Sequence, residues 1–227
     1  MLVDLLPEQH YKRSLSQLTM EWKWLILVYE SRLWRRNPFF ELGMGISFAE
    51  EYETILRAVR LRGEENILDL ACGTGIYTRH IARTFPRGTA VGLDLSMPML
   101  KYACWRSDRE GIANQFFVHA NVLDIPFPAA SFDAVICCGA LHLFPKPRRV
   151  LIEVGRVLKP GGRFAMAAFR HGYGRISAYM RRLINLSGGV RAFSPNQLEE
   201  YFYEAGLNHI QCHHAQRLWL IMSGIKP

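Results

Sequence analysis

The chain has 227 residues, 49% of them hydrophobic, and carries a net charge of +8 at pH 7; that suffices for one α/β domain with a large core. No apolar run reaches the roughly 18 residues of a transmembrane helix, and Asp4 and Glu8 near the start speak against a signal peptide. Cys72, Cys104, Cys137, Cys138 and Cys212 show no CxxC or CxxxCxxC spacing, which points to reduced thiols in the cytoplasm and away from an iron–sulfur centre.

Residues 1–62 are expected to form a helical lid. Leu15, Leu18, Trp22, Leu25, Tyr29 and Leu33 recur at helical spacing, and Ser47-Phe-Ala-Glu50 is a capping box that opens a helix ending near Arg60. Placed before the first strand, these helices can cover the sheet edge where ligands bind. Trp22 and Tyr29 are candidate substrate contacts, and Trp24, Trp34, Phe39 and Phe40 can add to an aromatic pocket. The same aromatics are also plain core anchors, or, with Lys23, Arg32, Arg35 and Arg36, a peripheral membrane-contact helix.

From 63 to 227 apolar strands and helices alternate. Strands are expected at about 66–70, 89–93, 115–119, 132–138 and 162–169, and helices at about 76–84, 97–111 and 146–158. That alternation means βαβ units and a parallel sheet covered on both faces. Ser194-Pro195 opens a further helix that stops at Gly206. Two strands at about 208–213 and 217–223 are close enough for an antiparallel hairpin. The fold class is therefore α/β: a doubly wound, mostly parallel, seven-stranded Rossmann-like sheet with an antiparallel C-terminal hairpin and an N-terminal helical lid.

Ile67 to Gly75, ILDLACGTG, reads as a buried strand, a glycine-punctuated turn and a helix opening at Ile76. Glycines let the backbone approach a ligand, and the helix start offers free N–H donors. A dinucleotide fingerprint would need a third glycine where Thr78 stands, and a pyrophosphate would not tolerate Asp69 at the strand mouth. A cationic ligand would. Asp94 follows the second strand 19 residues after Gly75, where an acid can accept both hydroxyls of a ribose.

Four motifs in order, ILDLACGTG, the acid in VGLDLS, SFDAVICCGALHLF and RVLKPGGRF, resemble those of the class I S-adenosylmethionine (SAM) dependent methyltransferases, over roughly residues 66–169. Within that class the broad ubiquinone/menaquinone-type group is the nearest likeness. The resemblance implies SAM as cofactor and S-adenosylhomocysteine (SAH) as product. It implies a cofactor site of Asp69, Ala71, Gly73, Thr74, Gly75, Asp94, Leu95, Asn121, Val122 and Cys138. Asp69 would face the ammonium of the ligand, Leu95 would pack on adenine, and Val122 N–H would meet a ring nitrogen. Similar proteins carry an acid where Asn121 stands, whose side-chain carbonyl can still accept from the exocyclic amine.

The acceptor half is thinner in the sequence. His142 follows the small residues Gly139 and Ala140; it is a candidate general base or a packed ring. Arg170 and Tyr173, in a two-glycine loop within the expected substrate segment at about 170–193, could hold an anionic substrate, or simply be solvated. His119 is read as structural, and His209, His213 and His214 lack the partners of a metal site, so no metal is expected. The basic residues are scattered, as on a solvated surface, so no nucleic-acid partner is expected. The expected activity is in-line methyl transfer to a small-molecule or lipid-like acceptor, including a quinone or other aromatic. The alternatives are a nucleic-acid methyltransferase and a non-catalytic SAM-binding regulator. The oligomeric state is left open.

Overall fold

The computed structural model describes residues 1–6, 38–171 and 191–227. Trp22, Tyr29 and Tyr173, and the helical run from Leu15 to Leu33, lie outside the described residues. Eight strands form one sheet in the order β1-β4-β3-β2-β5-β6-β8-β7. They are β1 (Leu2–Asp4), β2 (Asn66–Leu70), β3 (Thr89–Asp94), β4 (Gln115–His119), β5 (Phe132–Cys138), β6 (Leu158–Phe169), β7 (Asn208–Gln216) and β8 (Trp219–Ile225). The helices are α1 (Pro38–Met44), α2 (Phe48–Val59), α3 (Ile76–Thr84), α4 (Met97–Arg109), α5 (Pro147–Val157) and α6 (Pro195–Glu204). No described helix is long and apolar enough to cross a membrane.

β1 to β6 pair in parallel; β8 runs antiparallel to β6, and β7 antiparallel to β8. The chain winds outward from β2 through β3 and β4, then returns to β5 on the other side of β2. This reversal leaves a crevice at the carboxyl ends of β2 and β5, where open α/β sheets bind ligands. The central strands are apolar on both faces because helices cover both. Ile67, Ala134, Ile136, Ala165 and Ile221 pack with Ile55 and Val59 of α2 and Ile81 of α3. Leu68, Leu70, Val135 and Phe164 pack on the opposite face with Val150 and Val154 of α5 and Phe202 of α6.

Local signals set the helix ends. In α2 the Ser47 Oγ accepts from Glu50 N–H while the Glu50 carboxylate accepts from Ser47 N–H, so two orphan donors are satisfied reciprocally. The helix closes on Arg60 at φ 47°. α6 starts as expected, with Ser194 capping Gln197 N–H and Pro195 in the first turn. α2 lies flat on the sheet face over β5, β6 and β8, while the β7–β8 turn meets α1: Leu218 N–H reaches Gly43 O, and the Arg217 guanidinium reaches Leu42 O.

The sheet exceeds the seven-strand expectation by one. β1 takes Leu2–Asp4 into the sheet beside β4, with Asp4 opposite His119. Its docking is sealed by His119, whose Nδ1 lies 2.8 Å from Asp4 Oδ1 and whose Nε2 lies 3.0 Å from Leu95 O. β6 also begins at Leu158, ahead of the expected 162, because Lys159 anchors on Asp133 at 2.8 Å and Gly161 N–H on Lys226 O.

Candidate active site

The turn after β2 is built around three left-handed residues: Ala71 at φ 56°, Gly73 at 55° and Gly75 at 72°. A Cβ on Gly73 would find only Met99 Sδ at 3.5 Å, so this side of the turn is open to a ligand. A Cβ on Gly75 would meet the Phe117 ring at 2.9 Å and Ala103 at 3.1 Å, so there the glycine serves close packing against α4 and β4. Ala71 holds its strained conformation without glycine's freedom, at a cost of about 1–2 kcal/mol.

A buried and a half-buried carboxylate flank this turn. Asp69, 3% exposed at the end of β2, accepts from Thr78 Oγ1 at 2.6 Å. Thr78, standing where a dinucleotide site has its third glycine, therefore orients the acid. Asp94 ends β3; Oδ2 accepts from Gly73 N–H at 2.8 Å and Oδ1 from Ser96 N–H at 2.8 Å. Each Asp94 oxygen keeps a lone pair, enough for one hydroxyl apiece. Burial pushes the Asp94 carboxyl above the usual aspartate range, against the pull of the N–H groups of Ser96, Gly73 and Leu95. The hydroxyls of Thr74 and Ser96 are buried beside this turn without a hydrogen-bond partner among the described residues. Open backbone at Gly73, a two-pronged acid and orphaned hydroxyls form a donor and acceptor set that fits an adenosyl amino acid.

Leu95 follows Asp94, and its carbonyl is held by His119. Asn121 and Val122 sit just past β4, 7% and 8% exposed. Asn121 Oδ1 accepts from Leu123 N–H at 2.9 Å, closing a local turn, so only one of its lone pairs remains for an exocyclic amine. A clamp from α5 fixes this loop: Glu153 accepts from Ile125 N–H at 2.9 Å and pairs with Arg156, which donates to Ile125 O and Phe127 O. The Arg156 contact holds the Glu153 carboxyl below its usual 4.5. The stability this contributes is full above the unfolded glutamate value and is lost as pH falls through the lower folded value. Glu153→Gln should cost about 1–2 kcal/mol at pH 7 and narrow the acid side of the stability profile, measured by urea melts between pH 3 and 7.

Past β5, Cys138 is 8% exposed and Gly139 donates to Ala167 O at 2.8 Å. His142 follows in a short 3-10 turn (Leu141–Leu143) and is 5% exposed. Its ring lies 4.4 Å from Phe169 and 6.2 Å from Trp219, with Phe169 and Trp219 5.4 Å apart. Phe169 ends β6 and Trp219 starts β8 directly opposite it, so three chain segments meet in one aromatic cluster at the carboxyl edge. Arg170 comes next in the chain; its backbone donates to Leu218 O, and its charge partly offsets the burial that pushes the Cys212 thiol on β7 up. Two histidines of the hairpin have partners: His213 Nε2 lies 2.7 Å from Ser223 Oγ and His214 Nε2 3.3 Å from Met44 O.

The sequence reading missed Trp219 and Phe169, and also the buried Glu51, which accepts from the Tyr77 hydroxyl at 2.5 Å between α2 and α3. Only the register of β6 against β8 brings Phe169 and Trp219 together, and no short motif carries that. Tyr77 beside the glycine turn was the available signal for the second pair.

The family described as methyltransferase domain matches residues 67–162, the stretch that holds the glycine turn, Asp94 and His142. A demethylmenaquinone methyltransferase of Thermus thermophilus is 32% identical over 153 residues, 64% of this chain and 69% of that protein. The chain belongs to the class I SAM-dependent methyltransferases. A fatty-acid O-methyltransferase of Mycolicibacterium smegmatis is 39% identical over 109 residues, covering 48% of this chain but spanning only 39% of that enzyme's length. A SAM-dependent methyltransferase structure from Aquifex aeolicus superposes with a TM-score of 0.67 at 16% identity, over 89% of this chain and 97% of that one, and shares the fold.

Proposed function

We propose that this chain transfers a methyl group from SAM to a small, largely apolar acceptor, lipid-like or aromatic. The observation that carries the reading is the position of Asp94, bridging Gly73 N–H and Ser96 N–H with one lone pair left on each oxygen at the crevice edge. The names of the relatives, which include a fatty acid and a quinone precursor, support an apolar acceptor.

Bound there, SAM supplies a methyl group already activated by its sulfonium. The protein's part is alignment and exclusion of water. Asp94 takes the ribose, Asp69 with its Thr78 support faces the amino-acid end, and the open side of Gly73 admits the ligand to the backbone. The acceptor comes in over Gly139 and Ala140, whose small side chains leave room. His142 is the proposed proton acceptor for a hydroxyl or an acidic carbon; an acceptor already ionised needs none.

Incubating the protein with methyl-labelled SAM and, separately, long-chain fatty acids, reduced naphthoquinones, total RNA and total protein tests the reading. Label is expected in a fatty-acid or quinone product. Label confined to RNA or protein would reject the acceptor class, and failure to bind SAM would reject the donor.

A further inference from the structure

Resting on that reading, we propose that the His142–Phe169–Trp219 cluster is the acceptor subsite. It takes an acceptor whose apolar body ends in an oxygen with a free lone pair (a carboxylate, carbonyl or phenolate), received by the indole N–H of Trp219.

The argument starts from Trp219 itself. It is 2% exposed, and its Nε1 has no hydrogen-bond partner among the described residues. Indole nitrogen is a donor only, and buried Trp N–H groups almost always find an acceptor. An orphan buried donor is costly to the fold and calls for an explanation such as a ligand that completes it. The orphan sits at the carboxyl edge, beside the proposed acceptor entry: its ring packs against Phe169 and against His142, which follows closely on Gly139 and Ala140 in the chain.

Chemistry then narrows the ligand. A donor-only group matches an oxygen lone pair. It has nothing to offer a protonated amine, which carries donors alone. The ring faces would attract a cation, but the local charge opposes one. Arg191 N–H donates to His142 O at 2.7 Å, and its guanidinium donates to Pro145 O at 3.2 Å, placing a positive charge beside the His142 turn. That charge favours an anionic or partly negative oxygen. Three packed rings provide the apolar wall for the rest of the molecule.

The test uses the full chain saturated with SAH and two probes that differ only in the head group, decanoate and decylamine, titrated calorimetrically. Decanoate should bind at least about tenfold more tightly than decylamine. Trp219→Phe keeps an aromatic ring, though a smaller one, and removes the N–H; it should weaken decanoate about 5- to 10-fold while leaving SAH affinity unchanged. With ¹⁵N-labelled indoles, decanoate should move the Trp219 Nε1–H resonance downfield, a readout that does not depend on the variant. Equal binding of the two probes, a Trp219→Phe protein that holds decanoate as well as the parent, or an unmoved indole resonance would each overturn the subsite. Should decanoate fail to bind while SAH binds, the subsite falls and the methyltransferase reading stands. Should SAH itself fail to bind, both fall.

Discussion

Asp94→Asn should lower the affinity for SAM and SAH by about 10- to 100-fold while shifting stability by no more than about 1 kcal/mol. The carboxylate now joins Gly73 N–H and Ser96 N–H at 2.8 Å each and keeps one lone pair per oxygen. An amide replaces one acceptor oxygen with a donor, so one backbone N–H loses its partner and one ribose hydroxyl loses its acceptor. The fold tolerates the change because the native carboxyl is itself held at a cost. Burial raises its folded pKa above the ordinary 3.8. A group with a raised folded value stabilises the fold below the unfolded pKa, and that contribution is lost as pH rises through the folded value. At neutral pH the charged form is therefore a liability in the ligand-free protein, and Asn removes it. The same shift predicts that SAM affinity of the native protein weakens on acidification already above the ordinary aspartate range, and that Asp94→Asn lacks this step. Titration calorimetry from pH 4 to 8, with thermal melts of both proteins, checks the pair of effects. Unchanged SAH affinity in the variant would remove Asp94 from the site.

The donor half of this site was legible because its signals are local. The strand, the glycine turn and the helix of ILDLACGTG lie within 18 residues, Ile67 to Thr84, and each is dictated by neighbouring residues. Ser47 with Glu50, and Ser194 with Pro195, likewise announce their helices from within one turn. What the sequence hides is whatever depends on a distant partner. β1 has only three residues; its strand character comes from pairing with Phe117–His119, over a hundred positions away. The acceptor half is hidden for the same reason. His142 is an ordinary histidine after a strand until the β6–β8 register sets Phe169 and Trp219 against it. Arg170 is legible in the sequence only as a charge next to a strand end; its backbone pairs with Leu218 and its neighbour His171 with Phe193, contacts that no local motif announces.

Gly155→Ala should destabilise the protein by about 2–3 kcal/mol and lower Tm by about 4–12 °C. Gly155 lies inside α5, where alanine would ordinarily add up to about 1 kcal/mol of helix stability. Here its Cβ would stand 2.0 Å from the Ala205 carbonyl oxygen and 3.1 Å from the Ala205 carbonyl carbon, at the end of α6. Both atoms are backbone, so no side-chain rotation relieves the overlap. The helices must part by more than an ångström, at the point where Leu151, Val154, Leu198 and Phe202 are fully buried. Opening that seam forfeits packing all along it, because the interior is close-packed and has no slack to absorb the shift. Gly161→Ala is the matched control: nothing lies within 4 Å of its Cβ, and only its φ of +76° is strained, so its cost is about 1 kcal/mol. Thermal melts of the two variants separate the effects. SAH affinity well below the melting range should be near native in Gly161→Ala, and in Gly155→Ala should fall no more than a few-fold, through displacement of the Glu153–Arg156 clamp on the loop after Asn121, since Asp69, Gly73 and Asp94 stand on β2, its turn and β3. A Gly155→Ala protein that melts within a degree or two of the parent would mean that the α5–α6 contact is looser than this geometry requires. The contrast with Asp94→Asn is then one of weight: Gly155→Ala acts chiefly on Tm, and Asp94→Asn chiefly on binding, as expected if packing and cofactor recognition rest mainly on different residues.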